Sequence, residues 1–195
     1  MLEPALALIE FSSIATGISA ADAMVKRAPI DLIRSGTVQP GKYLVLIGGQ
    51  VADVEEALAA GRLVGETCLV DSVYLPQVHP AVVDAIAGGR VALSTDALGV
   101  IETTTVAASI RAADAGIKGA QVKLVEIRLA DGLGGKGIVL FSGLVADVEE
   151  AVLLGASVLG SDLLVKQIVI PQLHPEMWEN LIAATPFEAR VINQL

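Results

Sequence analysis

The heptapeptide VADVEEA occurs twice, at Val51–Ala57 and again at Val145–Ala151, 94 residues apart. The match does not stand alone. Upstream, ALALIE (Ala5–Glu10) returns as ALGVIE (Ala97–Glu102), and SAADAMVK (Ser19–Lys26) returns as RAADAGIK (Arg111–Lys118), both at an offset of 92. Downstream, LPQVHP (Leu75–Pro80) returns as IPQLHP (Ile170–Pro175) at an offset of 95. The motif order is the same in both halves, so the chain is a tandem duplication without permutation, and whatever one half folds into is built twice. The drifting offset locates the length changes: two residues gained between Lys26 and Lys42, and one more after the second long helix. With 195 residues, this predicts two small domains, 1–92 and 93–195, of a size at which single cores are viable. Ala87–Asp96, rich in Gly and polar residues, reads as the linker.

Each half reads as strand, helix, strand, strand, helix, strand and a short terminal helix. The apolar run Ala5–Phe11 is the first strand, and a helix follows from about Thr16 to Ala28, where Pro29 discourages continuation. Ile30–Val38 and Tyr43–Gly49 are strands. Val51, Val54, Ala57, Leu58 and Gly61 recur at helical spacing, and Leu69–Leu75 is the fourth strand. The second half repeats this with strands near 98–102, 122–130, 137–143 and 164–170. Two helices on one face of a four-stranded antiparallel sheet make a ferredoxin-like α+β layer, βαββαβ, in each half. Hydrophobic residues make up 53% of the chain but aromatics only 3%, so the cores must come from Ala, Val, Leu and Ile with closely packed elements.

A chain this apolar is expected to cover part of its surface with copies of itself or with partners. The formal charge of −9, without a Lys/Arg cluster, argues against nucleic acid as a ligand. Every window of about 18 residues is interrupted by charge, so no membrane-spanning helix is expected. MLEPALALIEF lacks a basic n-region and carries Glu3 and Glu10, unlike a secretion signal. The one cysteine, Cys68, sits in the apolar run TCLVDSVYL and reads as a buried thiol in a reducing compartment.

Several motifs imitate chemistry that their context denies. GTVQPGKY (Gly36–Tyr43) has the spacing of a phosphate loop, but Tyr43 stands where Ser or Thr would hold magnesium, and a strand rather than a helix follows Lys42. At the matching place in the second half, GLGGKG (Gly132–Gly137) fits a dinucleotide fingerprint, yet it too leads into a strand. Glycines in both loops more simply allow backbone to approach backbone. Asp53, Glu55, Glu56 and Asp147, Glu149, Glu150 fall in first turns of helices, where the dipole favours carboxylates. His79 and His174, each in P-Q-x-H-P, have neighbouring acids in Asp84 and Glu176 but no ligand set, and read as structural or interface residues. Lys26 and Lys118 close the first helix of each half, either as dipole-complementing cations or as edge contacts. The sequence offers no catalytic constellation, and no enzyme is expected.

The ordered set I-E, A-A-D-A-x-x-K, G-K-x-x-x-x-x-G-x-V-A-x-V-x-x-A and I-P-x-x-H-P resembles the bacterial microcompartment shell domain, in both halves and over about Pro4 to Ala184. The two copies are similar to the non-permuted tandem type found in propanediol-utilisation compartments. That resemblance implies a homotrimer imitating six-fold symmetry, located in the shell in the bacterial cytoplasm. Its implied partners are copies of itself, other shell hexamers and pentamers, and encapsulated enzymes. It implies a pore ring from Val38, Gln39, Pro40 and Gly41 together with Gly132, Leu133, Gly134 and Gly135, with Gln39 opposite Leu133. Asp131 would add charge near one mouth. It also implies lateral edge contacts through Lys26 and Lys118. Relatives can carry a loop Cys, three per trimer, holding an iron–sulfur cluster. Here Gln39 stands at that position and Cys68 belongs to another segment, so no cofactor is expected. A trimeric small-molecule-binding regulator on the same fold is the alternative.

Overall fold

The computed structural model describes residues 5–90 and 97–182. The expected 92/93 boundary and most of the expected linker lie outside them. In the first repeat, β1 (Ala5–Phe11), α1 (Ile14–Arg27), β2 (Leu32–Val38), β3 (Lys42–Gly49), α2 (Val51–Gly65), β4 (Leu69–Leu75) and α3 (Pro80–Ile86) follow one another. The second repeat runs β5 (Ala97–Thr103), α4 (Val106–Gly119), β6 (Lys123–Leu129), β7 (Gly137–Gly143), α5 (Val145–Ser157), β8 (Leu164–Ile170) and α6 (Pro175–Ile182). Both sheets are antiparallel with matching order, β2-β3-β1-β4 and β6-β7-β5-β8. The expected α+β layer is therefore present twice.

Element ends differ from the sequence expectation for local reasons. The first helix starts at Ile14 rather than Thr16 because Ser13 caps it, its Oγ accepting from Thr16 N at 3.3 Å. Thr105 does the same for α4, accepting from Ala108 N at 3.2 Å, each satisfying an amide that has no intrahelical partner. The second helix runs on past Gly61 to Gly65. Strand β2 begins at Leu32, not Ile30. The register of β6 shifts between Leu124 and Glu126, a bulge at Val125 that the sequence did not announce.

Within each repeat the odd residues of the first strand face its own helices. Ala5, Ala7, Ile9 and Phe11 pack with Ala20, Met24, Val54 and Leu58 in one core. The two cores are filled differently. Met24 lies over Gly61 in the first repeat. In the second, Gly116 replaces Met24, Phe141 replaces Ile47, and Gly155 comes within 2.8 Å of the Ala112 carbonyl, measured from the Cβ it would carry. Phe141 supplies the volume that Met24 provides in the first repeat, and α4 and α5 approach through glycines instead.

The even residues of β1 face the other way, onto the second repeat. Leu6, Leu8, Leu44 and Val73 join Val106, Ala107, Ile110 and Ala113 of α4 in one continuous core. This junction buries one member of each repeated pair and leaves the other bare. Ile110 is 0% exposed, whereas Ile18, its counterpart on α1, is 54% exposed. Val73 on β4 is 2% exposed, whereas Ile168 on β8 is 41% exposed. Among the described residues, no helix is long and apolar enough to cross a membrane.

Candidate functional site: the paired loops and the repeat junction

The β2–β3 and β6–β7 hairpins end in loops of unequal length. Val38 pairs with Lys42, and Ala130 N donates to Lys136 O at 2.9 Å, so three residues (Gln39–Gly41) turn the first hairpin and five (Asp131–Gly135) the second. The two-residue gain inferred from the offsets therefore sits at the loop tip. The first turn is closed by Gly41 N donating to Val38 O at 2.9 Å, with a cis Gln39–Pro40 peptide and Gly41 at φ 109°. In the second, Leu133 N and Gly135 N both donate to Ala130 O, at 3.0 and 3.2 Å. Gly132, Gly134 and Gly135 adopt positive φ there, the region where a side chain is strained. Gln39, Pro40, Gly41, Gly132 and Gly134 are exposed, Val38 and Leu133 half-buried, and Gly135 buried.

One chain brings both loops side by side. A Cβ on Gly135 would fall 2.8 Å from Pro40 Cδ and 2.9 Å from Gln39 O. Glycine at 135 is thus required twice, by its φ and by the neighbouring loop. Lys42, directly after the first loop, reaches across with Nζ 3.4 Å from Gly135 O. The false phosphate-loop lysine is a strut between loops.

Lys42 Nζ also lies 3.2 Å from Glu10 Oε2, and Glu10 Oε1 accepts from Ala107 N at the start of α4 at 2.6 Å. Glu10 is fully buried. Desolvation by burial raises its pKa above the ordinary 4.5, against the opposing pull of the Ala107 amide and the Lys42 ammonium. Neighbouring contacts reinforce the junction. Thr105 Oγ1 donates to Asp71 Oδ2 at 2.6 Å, Arg111 Nη2 lies 3.5 Å from Asp71 Oδ1, and Asp114 Oδ1 accepts from His79 N at 2.8 Å. In the second repeat Glu102 keeps its lysine, Lys136 Nζ at 2.7 Å.

The lysines expected at an edge differ from one another. Lys26 pairs with Asp22 at 2.6 Å on an exposed helix face. Lys118 pairs with Asp114 at 2.6 Å and also donates to the Gln77 carbonyl of the first repeat. Both histidines cap helices through Nδ1: His79 accepts from Ala81 N at 3.2 Å, and His174 from Glu176 N at 3.3 Å. Glu56 pairs with Arg27, and the flanking acids of both VADVEEA helices are largely solvated, so the carboxylate clusters hold no common site. Cys68 is half-buried beside Thr67, far along the chain from the loops. No group of three or more potential metal-ligating side chains forms among the described residues.

Sequence reasoning missed Glu10, Asp71 and Arg111. The signal for Glu10 was available, since I-E closes the first motif of each half; nothing local revealed that its carboxylate caps a helix 97 residues away.

The BMC domain model matches twice, at residues 5–78 and 97–173. The chain is 40% identical to the bacterial microcompartment shell protein PduT of Citrobacter freundii over 182 residues, 93% of this chain and 99% of that one. The crystal structure of a microcompartment protein from Desulfitobacterium hafniense DCB superposes with a TM-score of 0.79 at 43% identity, covering 90% of this chain and 98% of the other. A fused, permuted hexameric shell protein of the RMM microcompartment shares the fold, with a TM-score of 0.57 at 20% identity over 79% of this chain and 82% of its own. The family is structural rather than enzymatic, and the chain belongs to it: a bacterial microcompartment shell protein carrying the BMC domain twice.

Proposed function

We propose that this shell protein works as a homotrimeric tile, six BMC domains in a ring around the paired loops. The observation that carries this is the half-used junction. The contact between the two repeats is heterologous: α4 of the second lies on the β1–β4 edge of the first. Each chain therefore retains one unused copy of either side, α1 with exposed Ile14 and Ile18, and β8 with exposed Val165 and Ile168. A head-to-tail contact of this kind repeats until it closes. Closure after three chains follows from the six-fold arrangement that the family resemblance implies.

Transposing the internal junction gives the contacts between chains. Asp22 takes the place of Asp114 and accepts from the partner's His174 backbone amide. Lys26 takes the place of Lys118 and donates to the Gln172 carbonyl, and Glu102 caps the partner helix at Ala15. The ring brings three copies of each loop to its axis, with Gln39 and Leu133 at the rim and Asp131 adding charge at one mouth. Neutral amides and glycine backbones suit the passage of small polar molecules. They do not suit an iron–sulfur cluster: the donor at the loop tip is an amide, not a thiolate, and Cys68 belongs to the turn before β4. Beyond the tile, we place the protein in a shell in the bacterial cytoplasm beside neighbouring hexamers and pentamers, with its inner face meeting encapsulated enzymes; the edge contact expected of Lys118 is taken up inside the chain by Asp114 and the Gln77 carbonyl. The relatives are microcompartment shell proteins and lend the regulatory alternative no support.

Light scattering coupled to size exclusion tests the ring, and electron microscopy of concentrated protein tests tiling. A mass of three chains and flat sheets are expected. A monodisperse monomer or dimer would overturn the proposal.

A further inference from the structure

We propose that the first repeat holds a binding groove for a small amphipathic anion, an apolar chain or ring ending in a carboxylate or similar group. The groove encloses about 440 Å³ between the outer face of the first sheet and α3, a size typical of small-molecule sites. Leu6, Leu8, Leu44 and Leu46 form its floor, with Val83 and Ile86 of α3 as one wall. Its lining comes from one chain, with Leu129 of the second repeat beside the first-repeat residues.

The second repeat shows what normally fills this space. There Trp178 of α6 is 8% exposed and packs on Leu98 and Leu140, the counterparts of Leu6 and Leu46. Arg128 runs across the same face, donating to the Leu181 carbonyl, with Nε 2.9 Å from Glu126 Oε2. In the first repeat Val83 stands for Trp178, 95 residues earlier in the P-Q-x-H-P helix. Gly36 stands for Arg128, since Gly36 pairs with Leu44 and Arg128 with Ile138 in matching registers. A Cβ on Gly36 would meet nothing within 4 Å. Two large side chains are thus missing from corresponding places, and the groove is the volume they vacate.

The charge at the rim is also inverted. Glu126 pairs across its ladder with Leu140, as Arg34 does with Leu46, so Arg34 replaces a carboxylate. Glu126 is held by Arg128 and by Arg90 at 2.6 Å. Arg34 lines the groove and is exposed, and its recorded bond is from Nη1 to the adjacent Ile33 carbonyl at 2.9 Å. No ion pair to it exists among the described residues. A guanidinium without a counter-anion beside a leucine floor selects a ligand with an apolar body and a negative end. The same groove includes Val38, so an occupant would touch the strand that leads into Gln39.

Isothermal titration of the full chain with octanoate, octanol and octylammonium tests this, with the oligomer mass followed on the same samples. Octanoate should bind saturably at one site per chain and octylammonium should not. Arg34→Gln should weaken octanoate about tenfold, the loss of one charge-assisted bond, and leave octanol unchanged. Val83→Trp, which copies the second repeat, should abolish both. Gly36→Met serves as the second blocking variant should Val83→Trp fold poorly. Absence of saturable octanoate binding, or binding indifferent to all three substitutions, would overturn the proposal. So would a fall in oligomer mass on adding octanoate, which would show that a neighbouring chain is the natural occupant.

Discussion

Glu10 Oε1 accepts a 2.6 Å hydrogen bond from Ala107 N, joining the first strand of one repeat to the first turn of a helix in the other. Its second oxygen holds Lys42, and Lys42 in turn touches the Gly135 carbonyl. A buried carboxylate thus ties the repeat junction to both loops. Burial wins over these partners, so the folded pKa lies above 4.5. A carboxylate with a raised pKa makes the fold take up a proton that the unfolded chain releases. Below about pH 4.5 both states are protonated and Glu10 contributes no pH dependence. Stability then falls as pH rises through the window between 4.5 and the folded pKa. Urea midpoints of the native protein should decline across that window relative to Glu10→Gln, which cannot titrate. Parallel profiles for the two proteins would refute the linkage.

The unused junction surfaces make a sharper test, because the same substitution has opposite consequences at repeated positions. Ile110→Asp buries a charge inside the chain and should destabilise it by more than about 3 kcal/mol. Ile18→Asp at the matching place on α1 should change the stability of the single chain by no more than about 0.5 kcal/mol, yet disperse the proposed trimer. Ile168→Asp should do the same from the other side of the contact. Sedimentation velocity with parallel thermal melts would separate the three. A fully trimeric Ile18→Asp protein would remove α1 from the interface.

Close helix packing gives a third contrast. Gly155→Ala would set a Cβ 2.8 Å from the Ala112 carbonyl and 2.7 Å from Ile101 Cδ1, where backbone must move. Gly61→Ala, at the equivalent position, meets side-chain atoms and no backbone, Met24 Sδ at 2.6 Å and Cγ at 2.8 Å, on an unbranched chain that can shift. Overpacking against backbone should cost Gly155→Ala about 1–3 kcal/mol, while Gly61→Ala recovers up to about 1 kcal/mol of helix propensity and stays near neutral. Equal denaturant midpoints for the two variants would contradict this account.

These contrasts also show where the sequence was readable. Motif order and hydrophobic period exposed the duplication, the strands and helices, and the loop that grows by two residues, because each is local or repeated. The junction was not legible. Glu10, Asp71 and Arg111 are ordinary residues until folding brings together residues 34 to 97 positions apart. Lys118 looked like Lys26, and only the tertiary contact with Gln77 distinguishes them. The exchange of Met24 and Ile47 for Gly116 and Phe141 was visible as a difference between repeats, but its meaning, two ways of filling one layer, needed the packing.

Gln39 offers the last test. If the ring forms, three Gln39 side chains approach the axis, and amides do not replace thiolates as ligands for an iron–sulfur cluster. Anaerobic treatment with a mixture of ferrous and ferric iron and sulfide, followed by desalting, should leave the native protein colourless. Gln39→Cys should instead place three thiolates around the axis and retain a brown chromophore at one cluster per trimer. Adding Cys68→Ser should leave that chromophore intact, since Cys68 lies in the turn before β4, in a different segment from the loop. A native protein that retains iron and sulfide in stoichiometric amount would show that the loop supplies ligands other than Gln39. A colourless Gln39→Cys trimer would show that residue 39 does not converge at the axis.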